Sequence, residues 1–432
     1  MHATAAVVLV AAAAAAVLLA CAQVARRLPV PSAALFLVAA AAASNLLPGL
    51  RGSVPVDAVV QLAVVALVLI LFDGGLKVGW HRFRTALLPA ALLGIAGTAG
   101  TAGAVCLLAH FLLGFGWALA GLVGAALAPT DPAVMFSALR GRPARGRVET
   151  ALEAESGLND PVAIALVVGV LAYTRGGSLT TIGREFALQL LVGAAVGAAV
   201  GFALPWLLRH AAFPSDGLYG IAALVAAMLA YGLAAVADGS GFLAVFVAGV
   251  LVGAERTPRK AEVDRFAEAL ASFAEMAVFA ALGLTIDLRT LADRLIWLDG
   301  LVLALLLTLV ARPLVVTPLT APLGFRRAER LFLAWAGMKG AVPILLAALA
   351  ALSGFESERM YGIVFVVVLF SVVVQGASVR LLVRKHLQAP ADDTPSTTRS
   401  RRRPTRSLRR LERRRPSTTS RSEPITDATK GR

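Results

Sequence analysis

The sequence predicts an all-α, polytopic membrane protein with about 13 transmembrane helices. Of its 432 residues, 58% are hydrophobic and the mean hydropathy is +0.78, values typical of a membrane protein and not of a soluble domain. The long runs of Ala, Leu, Val and Gly lack the alternation of a membrane β-barrel, so helices are the expected elements. The two cysteines, Cys21 and Cys106, lie in apolar runs and give no disulfide framework or metal-ligand spacing.

The predicted spans are apolar stretches, most of them near the ~20 residues that a helix needs to cross a bilayer. Their approximate bounds are 4–25, 32–50, 56–76, 85–113, 116–139, 150–174, 184–208, 217–237, 241–254, 265–286, 295–320, 329–352 and 360–384. The first lacks a basic n-region, which favours a helix over a cleaved signal peptide. The ninth is short, as in a shallow or broken helix.

Basic residues are distributed unevenly between the connecting loops. The loops that follow odd-numbered spans hold 17 Lys and Arg residues, and the loops that follow even-numbered spans hold 6. The positive-inside rule then places the odd loops and the C-terminus in the cytoplasm and the N-terminus outside. The tail, 389–432, is rich in Arg, Ser, Thr and Pro and is predicted to be disordered. The basic tail either binds anionic lipid or is a solvated segment that only reinforces the topology. Nucleic-acid binding is not expected.

A polar stripe interrupts the sixth span. Glu155 and Asn159 share one helical face, with Ser156 and Asp160 beside them, because each pair is four residues apart. A carboxylate at the bilayer centre costs at least ~2.5–3.5 kcal/mol, so such groups usually mark a pathway or site. Their oxygen atoms are hard ligands, suited to a cation or a proton.

Two other spans are predicted to break near their middle. Prolines flank Thr130 and Asp131 in the fifth, and glycines with a proline surround Lys339 in the twelfth. If spans 1–6 and 8–13 are two repeats, these breaks are equivalent and run in opposite directions, the inverted arrangement of secondary transporters. Asp131 would compensate exposed N-terminal half-helix dipoles, and Lys339 exposed C-terminal ones.

Further charges interrupt the apolar runs. Asp73 is either part of a site or an interfacial helix cap at the end of the third span. Arg312 in the eleventh span needs an acidic partner, with Glu155 the better candidate and Glu275 the alternative. Glu153 lies nearer the cytoplasmic end, where it is expected to be solvated.

Five motifs together resemble the NhaP-type branch of the monovalent cation:proton antiporters, over roughly residues 5–385. They are, in order, Phe-Asp-Gly-Gly-Leu at 72–76, Thr-Asp-Pro at 130–132, Glu-Ser-Gly-Leu-Asn-Asp-Pro at 155–161, Ala-Arg-Pro at 311–313 and Gly-Met-Lys-Gly-Ala-Val at 337–342. The resemblance implies the NhaA/NhaP-like fold, with two inverted repeats and crossed broken helices.

The resemblance also implies roles for individual residues. Asp160 matches the essential carboxylate that binds cation or proton in competition. Ser156 and the backbone carbonyl of Thr130 match further cation ligands, and Asp73 an acidic position that contributes to the site. Asn159 in place of a second aspartate matches the electroneutral members.

Other matches concern the scaffold. Glu155 and Arg312 match a structural ion pair between the sixth and eleventh spans. Lys339 stands where arginine is usual, which keeps the charge and loses the planar fork. Asp73 stands where glutamate is frequent and reaches less far. The forms of the third-span and twelfth-span motifs resemble potassium/proton members more than sodium ones.

The implied organisation is a transmembrane antiporter domain at 1–388 that forms a homodimer in a prokaryotic plasma membrane. Its core would comprise 85–174 and 295–384, and its dimerisation helices 4–76 and 217–286. The expected function is exchange of Na+ or K+ for H+ at Asp160, without an enzymatic activity, a cofactor or a metal other than the transported cation. A membrane hydrolase or lipid transferase and a proton-gated channel are the alternatives, and obligatory counterflow in sealed vesicles distinguishes them.

Overall fold

The structure is a computed structural model that describes residues 12, 15–23, 32–47, 55–131, 147–210, 213–255, 259–293, 295–352 and 357–379. Within these ranges the regular elements are helices, as the sequence predicts. Several predictions fall outside the described residues. They concern most of the first span, the second half of the fifth, the end of the thirteenth and the basic tail.

The helices follow the predicted spans closely. The first half of the described chain contains α1 (Ser32–Leu46), α2 (Val56–Thr85), α3 (Leu87–Leu113), α4 (Trp117–Leu127), α5 (Arg147–Thr174) and α6 (Leu179–His210). The second half contains α7 (Gly217–Val236), α8 (Gly241–Ala254), α9 (Lys260–Leu284), α10 (Leu288–Asp293), α11 (Ile296–Thr320), α12 (Arg327–Trp335), α13 (Ala341–Leu352) and α14 (Ser357–Phe370). Among the described helical segments, eight are long and apolar enough to cross a membrane.

The predicted bounds fail most clearly at α2. Its apolar run ends near Leu76, but the helix continues to Thr85. This last part carries Lys77, Arg82 and Arg84 and lies beyond the apolar residues from which the span was predicted. Gly79 interrupts this extension with a positive φ of 62°, which produces a kink. Asp73 therefore lies inside a helix, and the cap interpretation of this residue is wrong.

Helix contacts divide the described chain into two groups. One contains α1, α2 and α6–α9, with α9 packed on α1 and α2, and α8 packed on α2 and α6. The other contains α3–α5 and α11–α14, with α4 packed on α3 and α5, and α14 packed on α11 and α13. The helix α5 contacts both α2 and α8, so the polar stripe of the sixth span lies between the groups.

Glycines bring α2 and α8 into backbone contact. A Cβ atom added at Gly75 would lie 2.6 Å from the carbonyl oxygen of Phe246, and one added at Gly249 would lie 2.6 Å from that of Phe72. Small residues permit this approach between membrane helices, where packing and not water exclusion drives association. Of the two glycines that follow Asp73, only Gly75 is needed for this close approach, because a Cβ at Gly74 would meet no atom within 4 Å.

The substitution Gly249→Ala is expected to lower the melting temperature in detergent. Its methyl group must push the α2 backbone away, and overpacking of this kind costs ~1–3 kcal/mol. The matched control is Gly74→Ala, which has open space and should be neutral or stabilising by ~0.5–1 kcal/mol, as for alanine in a helix interior. Equal melting temperatures for the two variants would show that the backbones are not in contact.

Candidate ion-binding site

The two predicted breaks lie against each other. The helix α4 ends at Leu127, α12 ends at Trp335, and α13 begins only at Ala341. The backbone N–H of Asp131 donates a hydrogen bond of 2.8 Å to the carbonyl of Met338, which joins the two irregular segments. Irregular backbone inside a membrane protein is tolerated where other protein groups satisfy it, and this contact is one of them.

Lys339 satisfies the exposed end of α4. Its side chain is 1% exposed, and Nζ donates to the carbonyls of Ala128 at 3.0 Å and Pro129 at 2.9 Å. These oxygens follow the C-terminal end of α4, where the helix dipole is negative and a cation is stabilising. The backbone N–H of Lys339 donates to Ser371 Oγ at 2.8 Å, which ties the same break to the segment after α14.

Two glycines of the second break leave room for charged side chains. A Cβ atom at Gly340 would overlap the Asp131 carboxylate, and one at Gly337 would overlap the Arg312 guanidinium. The two glycines of the Gly-Met-Lys-Gly motif therefore have a steric role, because a larger residue at either position would collide with a charged side chain of another element.

The pair of Arg312 and Glu155 is buried between α11 and α5. Arg312 Nη1 donates to Glu155 Oε1 at 3.0 Å, with side-chain exposures of 2% and 1%. Arg312 Nη2 also donates to the carbonyl of Leu333 at 3.4 Å. Of the two acids considered for Arg312, the structure thus selects Glu155 over Glu275.

Thr130 connects this pair to Asn159. Its hydroxyl donates to Glu155 Oε1 at 3.3 Å and accepts from Asn159 Nδ2 at 2.8 Å, while its carbonyl accepts from the same Nδ2 at 3.2 Å. The side chain of Asn159 is fully buried. A continuous chain of hydrogen bonds therefore runs from Arg312 through Glu155 and Thr130 to Asn159.

Asp160 lies next to this chain and faces a cavity of about 330 Å³. Its side chain is 3% exposed, and Oδ1 has no hydrogen-bond partner within the part of the chain that the structure describes. Ser156 and Asp131 line the same cavity. The structure therefore brings together, around one space, three of the polar residues that the sequence singles out.

Asp73 lines the cavity from α2 but already has a cationic partner. Lys77, one turn later, places Nζ 2.7 Å from Asp73 Oδ2 and 3.6 Å from Glu268 Oε1 of α9. Lys77 thus lies between two carboxylates of different helices. In the sequence Lys77 is one of the basic residues that follow the third span, and its ion pair with α9 cannot be read from that span alone.

The surroundings of Glu153 differ from those expected from the sequence. It is not simply solvated, since its side chain is 13% exposed, lines the cavity and lies 3.2 Å from Arg82 Nη2. The expectation failed because it used only the distance along the sequence from the end of the span. In the structure the extended part of α2 covers this turn of α5 and provides the arginine.

Comparison with known proteins gives consistent matches. The family model described as "Sodium/hydrogen exchanger, transmembrane" matches residues 13–385. The chain is 38% identical to the K(+)/H(+) antiporter NhaP of Alkalimonas amylolytica, over 77% of this chain and 59% of that protein. It is 34% identical to the K(+)/H(+) antiporter NhaP2 of Shewanella oneidensis, over 74% and 56% respectively. The chain thus spans less than two thirds of the length of these relatives.

Two further comparisons are more distant. The Na(+)/H(+) antiporter ApNhaP of Aphanothece halophytica is 28% identical, over 73% of this chain and 63% of that protein. The solved structure of the sodium proton antiporter MjNhaP1 from Methanocaldococcus jannaschii superposes with a TM-score of 0.74 at 21% identity, over 88% of this chain and 98% of that one. This likeness confirms the predicted fold class.

Removing one member of the buried ion pair is expected to destabilise the protein strongly. Arg312→Ala leaves Glu155 charged and unpaired, which typically costs ~3–5 kcal/mol. Combining Arg312→Met with Glu155→Gln should recover part of that loss, because no unpaired charge remains. Thermal melting in detergent measures both effects.

The control is Arg209→Ala, because Arg209 pairs with Glu255 at the surface with side-chain exposures of 46% and 43%. A pair of this kind is worth at most ~1 kcal/mol. If Arg312→Ala melted like Arg209→Ala, the buried pair would contribute nothing to stability.

Proposed function

Because the chain belongs to the family of transmembrane sodium/hydrogen exchangers, we propose that it is a secondary antiporter that exchanges a monovalent cation for H+. The observation that carries this proposal is Asp160, a buried carboxyl group that lines the cavity and whose Oδ1 atom has no hydrogen-bond partner among the described residues. A group of this kind binds either a proton or a cation, because each removes the cost of a bare carboxylate away from water.

Coupling follows from competition at one group. With a cation bound, Asp160 is charged and compensated, and with a proton bound it is neutral. The bare, charged form is the one disfavoured by the surroundings, so the site changes sides loaded with one ion or the other. Each cation that moves in one direction is then matched by a proton that moves in the other.

Three further groups are proposed as cation ligands. Ser156 and Asp131 line the cavity with Asp160, and the Thr130 carbonyl lies in the break beside them, bonded to Asn159 Nδ2. Hydroxyl, carbonyl and carboxylate oxygens are ligands for hard cations. Asp73 is proposed to contribute from the opposite side, although its partner Lys77 must be displaced before it binds a cation.

Asn159 is proposed to make the exchange electroneutral. Its amide holds Thr130 through Nδ2 and adds no titrating group next to Asp160. The proposed role of Glu155 and Arg312 is structural, since their charges compensate each other. One cation then exchanges for one proton.

Alternating access is proposed to come from movement of the core, 85–174 and 295–384, against the dimerisation helices, 4–76 and 217–286. The cavity supports this division, because its lining comes from α2 and α9 on one side and from α5 and α13 on the other. We propose a homodimer with the N-terminus outside and the C-terminus in the cytoplasm. The charged end of α2 and the starts of α5 and α9 would then surround a cytoplasmic opening.

K+ is proposed as the main cation, with Na+ as the alternative. The relatives with 38% and 34% identity are named K(+)/H(+) antiporters, and the one with 28% identity is named a Na(+)/H(+) antiporter. Proteoliposomes loaded with a pH-sensitive dye decide the choice, when the proton movement driven by K+, Na+ and Li+ is compared across pH. A protein that dissipates a proton gradient without a counter-ion would instead be a channel.

The variant Asp160→Asn is expected to abolish exchange while the protein still folds. The amide keeps the shape of the side chain and removes the group that binds both ions. Since it also removes a buried charge, the melting temperature should equal or exceed that of the wild type. The exposed Asp57 on α2 gives the control, and Asp57→Asn should exchange normally. Exchange by purified Asp160→Asn would remove the central assumption of the proposal.

The exchange rate is expected to be independent of membrane potential. One cation for one proton moves no net charge, so an imposed voltage performs no work on the cycle. A thiocyanate gradient across the liposome membrane sets the potential without a potassium ionophore that would disturb the substrate. A rate that rises or falls steadily with the potential would rule out one-for-one exchange and the role proposed for Asn159.

A further inference from the structure

A second polar stripe faces Asp160 from the opposite side of the cavity. Glu268, Ser272 and Glu275 of α9 all line the cavity that contains Asp160. Their spacing of four and three residues places them on one face of the helix. With a rise of ~1.5 Å per residue, Glu275 lies about 10 Å further along the helix axis than Glu268. The stripe therefore leads from the charged end of α9 into the membrane.

The two acids of the stripe have different surroundings. Glu268 has a side chain that is 62% exposed and lies 3.6 Å from Lys77 Nζ. Glu275 has an oxygen, Oε1, that is inaccessible to solvent and accepts no hydrogen bond from any residue that the structure describes. Carboxyl groups removed from bulk water in proteins nearly always have a partner, but no hydrogen bond or ion pair joins Glu275 to another described residue. Because the Glu275 side chain also lines the cavity, a partner can reach its carboxyl group from the cavity.

The cavity favours a cation as this partner. The charged groups that line it besides Glu268 and Glu275 are Asp73 and Lys77 of α2, Glu153 and Asp160 of α5, and Asp131. The helix α13 contributes only the apolar Ala341 and Val342 to the lining. Among the described residues that line this space, acidic side chains outnumber basic ones six to one, and such an excess of acidic groups favours cations.

We propose that Glu275 is a cation-binding residue of a second, loading site, where a partly hydrated monovalent cation is held before it moves to Asp160. The inference rests on the proposed antiport function and adds to it a site on the wall opposite Asp160. Ser272, one turn before Glu275 on the side of Glu268, supplies a hydroxyl oxygen at the approach. Lys77 lies in the outer part of the cavity, where its ammonium group pairs with Asp73 and Glu268.

The test is Glu275→Gln in proteoliposomes, with the initial rate measured against cation concentration at fixed pH. The isosteric amide removes the charge of the loading site and leaves Asp160 intact. We expect KM for K+ to rise roughly tenfold, the change that results when one unit charge about 6 Å from a cation is removed in a partly hydrated cavity. The expected kcat is within about twofold of the wild type, because transfer at Asp160 is unchanged.

Two variants make the result specific. Glu262→Gln is the matched control, since Glu262 lies on α9, pairs with Arg265 and is not among the residues that line the cavity. It should leave both KM and kcat unchanged. Glu275→Asp keeps the charge and should restore most of the affinity for the cation.

A gain of affinity provides an independent test, which does not depend on the folding of Glu275→Gln. Ser272 is exposed to the cavity, so Ser272→Asp adds a carboxylate at the approach without burying it. We expect this variant to lower KM for K+ several-fold at low ionic strength, and the effect to fade as salt is added.

The outcomes separate the two proposals. Absence of exchange by the wild type would overturn the proposed function itself. A wild type that exchanges, together with a Glu275→Gln variant that has an unchanged KM or loses only kcat, would overturn the loading site alone. An unchanged KM in Ser272→Asp would do the same.

Discussion

Where the two interrupted helices meet, one ammonium group satisfies the exposed end of α4. Lys339 replaces, for the carbonyls of Ala128 and Pro129, the hydrogen bonds that a continuous α4 would have provided. These oxygens would otherwise be unsatisfied in a water-poor interior, at a cost of several kcal/mol each. A compact point charge on a flexible stem suits this task, since it donates to two nearby oxygens. A lysine at this position is therefore well matched to its surroundings.

A second set of polar groups, joined by hydrogen bonds, lies between α11, α5 and the first break. Arg312 holds Glu155, Glu155 accepts from Thr130, and Thr130 accepts from Asn159, which directly precedes Asp160 in α5. Each member has its position set by the one before it. A chain of this kind holds the candidate site by hydrogen bonds from three elements, so an ion-binding group can face the cavity without a hydrogen bond of its own to the Oδ1 atom.

Much of this arrangement is predictable from sequence, and what is missed has a physical reason. The breaks around Asp131 and Lys339 follow from proline and glycine chemistry, and the need of Arg312 for an acidic partner follows from the cost of a lone buried charge. The choice between Glu155 and Glu275 depends on how α5, α9 and α11 pack. Likewise, the pairing of Lys77 with Glu268 depends on how α2 and α9 meet, which neither span encodes alone. The spacing of Glu268, Ser272 and Glu275 puts polar groups on one face of α9. That this face lines the same cavity as Asp160 depends on how α9 packs near α2 and α5, which the spacing alone does not encode.

The backbone contact between α2 and α8 has a consequence for the shape of the cavity. Gly75 and Gly249 bring the backbones of α2 and α8 into contact, so no side chain lies between them whose rotamer could change the distance between the two helices. The two helices therefore pack as one rigid pair. Phe246 belongs to this rigid pair and its ring lies against Gly157 of α5, so the wall of the cavity that α2 and α8 form keeps its own shape. For the proposed antiport, adjustment to a larger or smaller cation would then be left to the irregular segment around Thr130 and to the water that the cation retains.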